Sequence, residues 1–438
     1  MRVVIIGGGS AGTTCAFELR RLDKEVEILL IEKTSNTEYS PCALPYVLSD
    51  EIPSFDDIFI FKKKDYEENN IKLLRDTEVN SIDRSSKKIH FAHGEPVLYD
   101  YLVLATGSNP FIPPIQGVEN ANYTCLNTIE DARKINETRE SGRKSVVVGA
   151  GMVGVELAFS LASKGENVSL IEAKENILPT LLDRAIARDV EEYLKSNGIQ
   201  LYSGKHISEI TSDSVITDTQ QIPFEDLFIC TGVRPNIGVA KEAGLDIAEG
   251  ILVNEFMRTS DKNIFACGDC VESYEANSGK RIFSQLATTA VRQAKVIASN
   301  ILGGSERFPH VMNNTISKIG ELYIGAVGMT KRRATELDIK TISAKYSAFA
   351  RSEYYPSEER ITVQLLCDYS GNIVGGQIVG DVEVVGRLNM IALAIQQSVT
   401  VQDLANLETC YNPASAPIFD PLTIVAGLCL KKLQLVRR

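Results

Sequence analysis

The chain has 438 residues, 44% of them hydrophobic and 24% charged, which is too long for one ordinary core and normal for a globular protein. Its net charge of −11 argues against a nucleic-acid surface, and no run is long and apolar enough to span a bilayer. Nine cysteines, mostly inside apolar stretches, do not read as a disulfide framework, so a reducing cytoplasm and two or three domains are expected.

From the N-terminus, Arg2 to Ile6 is an apolar run of strand length, and it leaves no room for a signal peptide. It feeds Gly7-Gly8-Gly9-Ser10-Ala11-Gly12, which matches G-x-G-x-x-G at Gly7, Gly9 and Gly12. The pattern predicts a helix over Thr13 to Leu22 and a strand over Val26 to Ile31 that ends in Glu32. Each part has a physical job in dinucleotide binding. Gly7 makes a tight turn, Gly9 lets a pyrophosphate approach the backbone, Gly12 lets helix and sheet close up, and Glu32 receives ribose hydroxyls. Ser10, Ala11, Lys33 and Ser40 are placed with this site.

Cys42 follows, in Thr37-Glu38-Tyr39-Ser40-Pro41-Cys42-Ala43-Leu44-Pro45-Tyr46. Ala43 to Leu48 is expected to form a short helix with the thiol at its start, where thiolate is favoured. Taken alone, such a cysteine reads more readily as a packed small hydrophobe, and the rest of the sequence reverses that reading.

The fingerprint then recurs. Ser145 to Val148 is a strand, Gly149-Ala150-Gly151-Met152-Val153-Gly154 is the loop, Val155 to Ser163 is a helix, and the strand Val168 to Ile171 ends in Glu172. Two fingerprints imply two dinucleotides. A carboxylate at Glu172 favours NADH and would repel the extra phosphate of NADPH, with Lys174 near enough to blur the preference. Buried strands ending in Thr106-Gly107 and Thr231-Gly232 are expected to close each sheet beside its nucleotide. Ile264 to Asp269 is a strand ending in Gly-Asp, with Asp269 placed to hydrogen-bond a polyol. Cys267 and Cys270 have C-x-x-C spacing but no second ligand pair, so no metal site is assigned. Beyond His310 the pattern changes to strands at Ile316 to Ile319, Lys340 to Tyr346, Ile361 to Cys367 and Ile373 to Val379, with a helix at Val384 to Gln397. This predicts an α+β third domain, closed by a proline- and aromatic-rich stretch from Thr409 to Pro421 that reads as docked against something.

With both fingerprints, the Gly-Asp strand and a cysteine after Glu32, the chain resembles the FAD-dependent pyridine-nucleotide–disulfide oxidoreductases over its whole length. The resemblance implies an α/β fold with two Rossmann-like domains and a C-terminal α+β dimerisation domain. It implies FAD at the first loop with Asp269 on the ribitol, NADH (possibly NADPH) at the second, and a homodimer with no nucleic-acid or membrane partner. The domains would be 1–112 with 248–310 for FAD, 113–247 for NAD(P)H and 311–438 for dimerisation.

The two-cysteine members carry C-x-x-x-x-C, whereas Val47 and Thr37 lie five residues either side of Cys42. The chain therefore looks like the single-cysteine branch of coenzyme A disulfide reductases, NADH oxidases and peroxidases, and polysulfide or persulfide reductases. Cys-Ala-Leu-Pro-Tyr at 42–46, Arg20 to Lys24, Tyr354-Tyr355-Pro356 and Tyr411 to Pro421 are most similar to the coenzyme A disulfide reductases. In those enzymes the cysteine cycles through a mixed disulfide with coenzyme A, and tyrosines of the partner subunit complete the site. Oxidase and peroxidase members hold a histidine in the first loop, where this chain has Ser10, and no histidine lies beyond His310. The expected proton donor is therefore Tyr411, then Tyr355 or Tyr354. Arg20, Arg21 and Lys62 in Lys62-Lys63-Lys64 are candidates for the phosphates of coenzyme A, the lysines reading slightly more readily as a solvated face. Cys410 is a candidate second thiol. Pro41 and Met152 depart from the asparagine and aromatic residue common in relatives. The expected activity is NAD(P)H-dependent reduction of coenzyme A disulfide or a related disulfide or persulfide. The alternatives are NADH oxidase, polysulfide reductase or a flavoprotein that feeds a protein electron carrier.

Overall fold

The computed structural model describes residues 1–356 and 358–437. The chain falls into two compact units, one built from Met1–Phe111, Val233–Glu275 and Gly279–Val311, the other from Ile112–Gly232, Ala276–Ser278 and the chain from Met312 onward.

The first unit is organised on a five-stranded parallel sheet in the order Ile264–Ala266, Tyr101–Leu104, Arg2–Ile6, Glu27–Ile31, Ile71–Leu74. Its register sets Val3 opposite both Ile28 and Tyr101. The strands read as unbroken apolar runs because both faces are covered, as parallel sheets require. Val3, Val4 and Ile5 are fully buried. The helices Ser10–Leu22 and Ala287–Ile301 pack on each other, the first burying Ala11, Cys15, Ala16 and Leu19 at helical spacing. A three-stranded antiparallel sheet, Val79–Asp83, Lys88–Phe91 and Val97–Leu98, completes this unit.

The second unit repeats the parallel design with Gln200–Ser203, Asn167–Glu172, Lys144–Val148, Asp226–Ile229 and Tyr123–Thr124. It adds a five-stranded antiparallel sheet in the order Thr315–Ile319, Leu322–Gly328, Ile373–Gly380, Arg360–Asp368, Thr341–Phe349. The helices Val384–Gln396 and Pro421–Val436 bury Leu388, Ile391, Val425 and Cys429 in the core beside that sheet. The strand Leu322–Gly328 and the last helix were not anticipated from the sequence. Gly325 and Gly328 break the strand's apolar pattern, and they are there because a Cβ on Gly325 would lie 2.1 Å from Leu388 and one on Gly328 2.4 Å from the Val374 carbonyl. Residues 233–247, read from the sequence as part of the second nucleotide fold, lie in the first unit, where Val233–Pro235 pairs with Ser108–Pro110.

Candidate active site

Both glycine loops are shaped by contacts that only glycine permits. Gly7 has φ +109° and a Cβ there would sit 2.0 Å from the Ala105 carbonyl; a Cβ on Gly12 would sit 1.9 Å from the carbonyl of Gly7. In the second loop Gly149 (φ +97°) faces the Cys230 carbonyl at 2.5 Å and Gly154 faces that of Gly149 at 1.9 Å. The central glycines, Gly9 and Gly151, have open space where a Cβ would stand. Both helices start at these glycines with no side-chain cap and no acidic residue in the first turn. The helix Ile129–Thr138, by contrast, is capped by Thr128 and Asp131. Uncapped first-turn N–H groups over an open cradle suit an anionic pyrophosphate, so the residues present fit a dinucleotide at each loop.

The acidic residues also build the loops. Glu32 accepts from the Gly8 amide (2.7 Å) and from the Thr34 amide and hydroxyl (2.8 Å each). Glu172 accepts from the amides of Ala150 and Lys174 (2.9 Å each). Ala11 is buried and stands near Gly268, on whose built Cβ its own would lie at 3.1 Å. Lys33 is exposed and paired with Glu78. Thr106 donates to the Asn236 carbonyl at 2.6 Å, and Gly107 (φ +67°) and Gly232 (φ +99°) each take a left-handed turn. Met152 opens the second helix half-buried, and Val153 beside it is exposed. Asp269 accepts from Ser108 at 2.9 Å, and burial raises its carboxyl above the usual range. Cys267 and Cys270 are buried, burial holds both thiols up, and Cys270 donates to the Cys267 carbonyl at 3.2 Å.

Cys42 is exposed. It sits on a single turn, Pro41–Ala43, that runs into the five-residue helix Leu44–Leu48, so the thiol precedes the helix rather than opening it. Proline at 41 and 45 favours these turns, since each fixes φ at a position needing no N–H. Upstream, Ser40 N bonds to Ile58 O (2.9 Å) and Ile60 N to Glu38 O (3.2 Å), pinning the thiol loop to residues 58–60. A pocket of about 330 Å³ opens beside this loop, lined by Thr37, Phe59, Phe61, Lys62, Lys63 and Arg75 among others.

The two arginines expected to receive phosphates behave differently. Arg20 is buried and is corrected to a structural role. Its guanidinium donates to the carbonyls of Asn69 (2.8 Å), Val26 (2.7 Å), Asn70 (3.1 Å), Asp23 (3.2 Å) and Lys24, tying the end of its helix to the neighbouring loops. Arg21 is exposed and grips Glu18 through two bonds of 2.9 and 2.7 Å. Lys62 is exposed, and its backbone is capped by Asp65.

In the second unit the hydroxyls of Tyr354 and Tyr411 meet at 2.6 Å, joined because Ser352 N reaches the Pro413 carbonyl (3.3 Å). This bond lowers the Tyr354 phenol below its ordinary pKa and raises that of Tyr411, so Tyr354 is the more acidic of the pair. Tyr355 is half-buried, its amide turned onto Ser352. Cys410 is exposed. Tyr354, Ile418 and Phe419 are 74%, 66% and 71% exposed, a dense apolar surface for a segment that the sequence marks as docked. Sequence reasoning missed Glu38 and Ser108. An acid four residues before Cys42 and a serine after Thr-Gly are the only hints, and neither reveals burial or a partner.

Comparison with known proteins matches residues 1–294 to the model of the pyridine nucleotide-disulphide oxidoreductases and residues 316–421 to the dimerisation domain of that family. The chain is 40% identical to an NADH oxidase of Methanocaldococcus jannaschii, over 99% of this chain and 100% of that one. It is 31% identical to an NAD(P)H coenzyme A polysulfide/persulfide reductase of Pyrococcus horikoshii, over 97% of each. Among solved structures, an NAD-dependent persulfide reductase from A. fulgidus superposes with a TM-score of 0.95 at 32% identity, covering 100% of this chain and 84% of the other.

Proposed function

The chain belongs to the pyridine nucleotide-disulphide oxidoreductase family and is an FAD-dependent NAD(P)H oxidoreductase carrying that family's dimerisation domain; from this premise we propose that it reduces coenzyme A disulfide, or a coenzyme A persulfide, through Cys42. The observation that carries this reading is the pocket beside the thiol loop. Lys62, Lys63 and Arg75 offer cations for phosphate and pyrophosphate, and Phe59 and Phe61 offer aromatic faces for a purine, within a volume that admits a nucleotide. Thr37, which lines it, lies five residues from Cys42. The relative from Pyrococcus horikoshii, named for coenzyme A chemistry, supports the same substrate.

The first glycine loop, Glu32 and Asp269 would hold FAD, and the second loop with Glu172 would hold NAD(P)H. Bound there, the two supply hydride and electron-pair transfer. The chain's own residues do the sulfur chemistry. The Cys42 thiolate attacks one sulfur of the disulfide, forming a mixed disulfide and expelling one coenzyme A thiolate. Tyr354, acidified by Tyr411, gives that thiolate a proton. With the electron pair that NADH would supply through the first-loop site, the mixed disulfide would be cleaved, the second coenzyme A released and the Cys42 thiolate restored. The sum is one NADH, one proton and one disulfide giving NAD⁺ and two thiols. Tyr354 and Tyr411 reach Cys42 from a second copy, and the exposed Ile418 and Phe419 are covered in that homodimer.

A second reading, oxygen reduction at the same thiol, is favoured by the 40% identity to an NADH oxidase. Steady-state assays with coenzyme A disulfide separate the two. Replacing Lys62 and Lys63 by Ala should raise KM for coenzyme A disulfide about tenfold with little change in kcat, the pattern of lost uniform binding. Rapid NADH consumption in air that ignores added disulfide would overturn the coenzyme A reading.

A further inference from the structure

Tyr354 and Tyr411 share a hydrogen bond of 2.6 Å although they are 74% and 48% exposed and 57 residues apart. A bond between two exposed hydroxyls is worth little against bonds to water, and it lasts only where both backbones are already fixed. Whatever fixes them is part of the site.

The Tyr354 segment is closed at its base by the amide of Ala350 on the Glu359 carbonyl (2.9 Å). Beside that base the Arg351 guanidinium sits among three carboxylates. Its Nη2 lies 2.9 Å from Glu359, 3.3 Å from Glu383 and 3.8 Å from Asp381. The three carboxylates come within 4.8 Å of one another, the spacing of a cation site, and the cation that stands among them is Arg351. Without it they would repel one another. A lone surface ion pair contributes little, whereas here one partly shielded guanidinium serves three anions.

Glu383 stands at the start of the helix Val384–Gln396, and Arg387 lies four residues on, on the same face. Arg387 is buried and grips the equally buried Asp420 through bonds of 3.0 Å from Nε and 2.7 Å from Nη2. Its Nη1 donates to the Glu383 carbonyl at 3.4 Å. Asp420 ends the stretch that carries Tyr411, and it caps the last helix by accepting from the amide of Leu422 (2.8 Å). One helical turn thus anchors both tyrosine segments, the first through the Glu383 side chain and the second through Arg387. The amide of Ser352 on the Pro413 carbonyl sets them side by side.

We propose that Arg351 is a positioning residue: seated among Glu359, Asp381 and Glu383, it holds the Tyr354 segment on the same helical turn that holds the Tyr411 segment, and so makes the bond between the two phenols. It acts on the reaction through Tyr354 alone. The proposal rests on the tyrosine pair as proton donor but not on which disulfide is the substrate.

The test labels tyrosine isotopically at Cζ in the purified holoenzyme and reads the Tyr354 signal by NMR, assigned by its loss in Tyr354→Phe. Tyr411→Phe marks where that signal stands once the bond is gone. Arg351→Ala should carry it to the same place, and Arg351→Lys should return it towards the wild-type position. The signals of Tyr323 and Tyr346, on other strands of the antiparallel sheet, should stay where they are. A Tyr354 signal unmoved in Arg351→Ala overturns the proposal. So does a shift of Tyr323 and Tyr346 along with it, the sign of a domain loosened as a whole. In steady-state assays Arg351→Ala should lower kcat about tenfold, with KM for the disulfide and the rate of flavin reduction by NADH unchanged. Added to Tyr354→Phe it should cost nothing further, and a second loss of that size overturns the proposal equally. Should Arg351→Ala fail to fold, Glu383→Gln weakens the same clamp with its shape kept and should shift the Tyr354 signal part of the way; an unmoved signal there is equally fatal. The expected NMR pattern in an enzyme inactive towards coenzyme A disulfide would support the clamp and count against the substrate alone.

Discussion

Gly12 and Gly154 hold corresponding places in the two nucleotide loops, and a Cβ on either would stand 1.9 Å from the carbonyl of the loop's first glycine. Glu32 and Glu172 likewise return to the loop amide that follows the first glycine. The surroundings differ. The first loop contains Ser10, and later in the chain come the buried Glu38 and, four residues further, the exposed Cys42. The second loop leads into a helix whose Glu156 is tied to Ser317 of the antiparallel sheet. One backbone design thus serves two tasks, and side chains outside the fingerprint decide which. The first loop is followed in the chain by the thiol for which sulfur chemistry is proposed, and the helix of the second is tied to the antiparallel sheet of the dimerisation domain.

The comparison can be broken one loop at a time. The largest effects are expected from Gly12→Ala and Gly154→Ala, since forced overpacking costs about 1–3 kcal/mol and both contacts are with backbone. Gly12→Ala should purify depleted of FAD. Gly154→Ala should keep its FAD and show KM for NADH raised at least tenfold. Flavin content and steady-state kinetics check this, and equal FAD loss in both variants would erase the assigned division of labour.

A smaller effect is expected from the tyrosine pair. Tyr354→Phe removes the more acidic hydroxyl and should lower kcat for disulfide reduction by about 10²-fold, in the range of a lost general acid. The rate at which NADH reduces the bound flavin should stay unchanged in stopped flow. Tyr411→Phe should cost less and shift the alkaline limb of the pH–rate profile upward, because the bond that acidifies Tyr354 is gone.

The smallest concerns Glu156. Burial raises its carboxyl to about 7, partly offset by Ser317. A folded pKa above the unfolded one means that this carboxyl's contribution is complete below about pH 4.5 and is lost as pH rises towards 7. Glu156→Gln should flatten the decline in stability over that window, by on the order of 2 kcal/mol at pH 7, read as a shallower fall of Tm with pH in differential scanning calorimetry.

The parts legible in the sequence were those where chemistry is local. Gly7, Gly12, Gly149 and Gly154 were readable because a backbone contact under 3 Å admits only glycine. The apolar strands were readable because parallel sheets bury both faces. The lone Cys42 was readable because Val47 and Thr37 stand where a second thiol would be. Arg20 was misread. Its place in a basic run suggests phosphate, but the five carbonyls that use its donors converge from residues 23–26 and 69–70, which only folding brings together. The Tyr354–Tyr411 bond was invisible for the same reason, its partners being 57 residues apart. The strand Leu322–Gly328 was hidden by glycines whose reason is a helix more than fifty residues later.

If Cys42 does the sulfur chemistry, substrate sulfur becomes covalently attached to it. The most direct test reduces the holoenzyme anaerobically with one equivalent of NADH, adds coenzyme A disulfide, quenches with acid and weighs the peptide that contains Cys42. That peptide should gain the mass of one coenzyme A and lose it again after a further equivalent of NADH. Consumption of the disulfide while that peptide keeps its unmodified mass would contradict it.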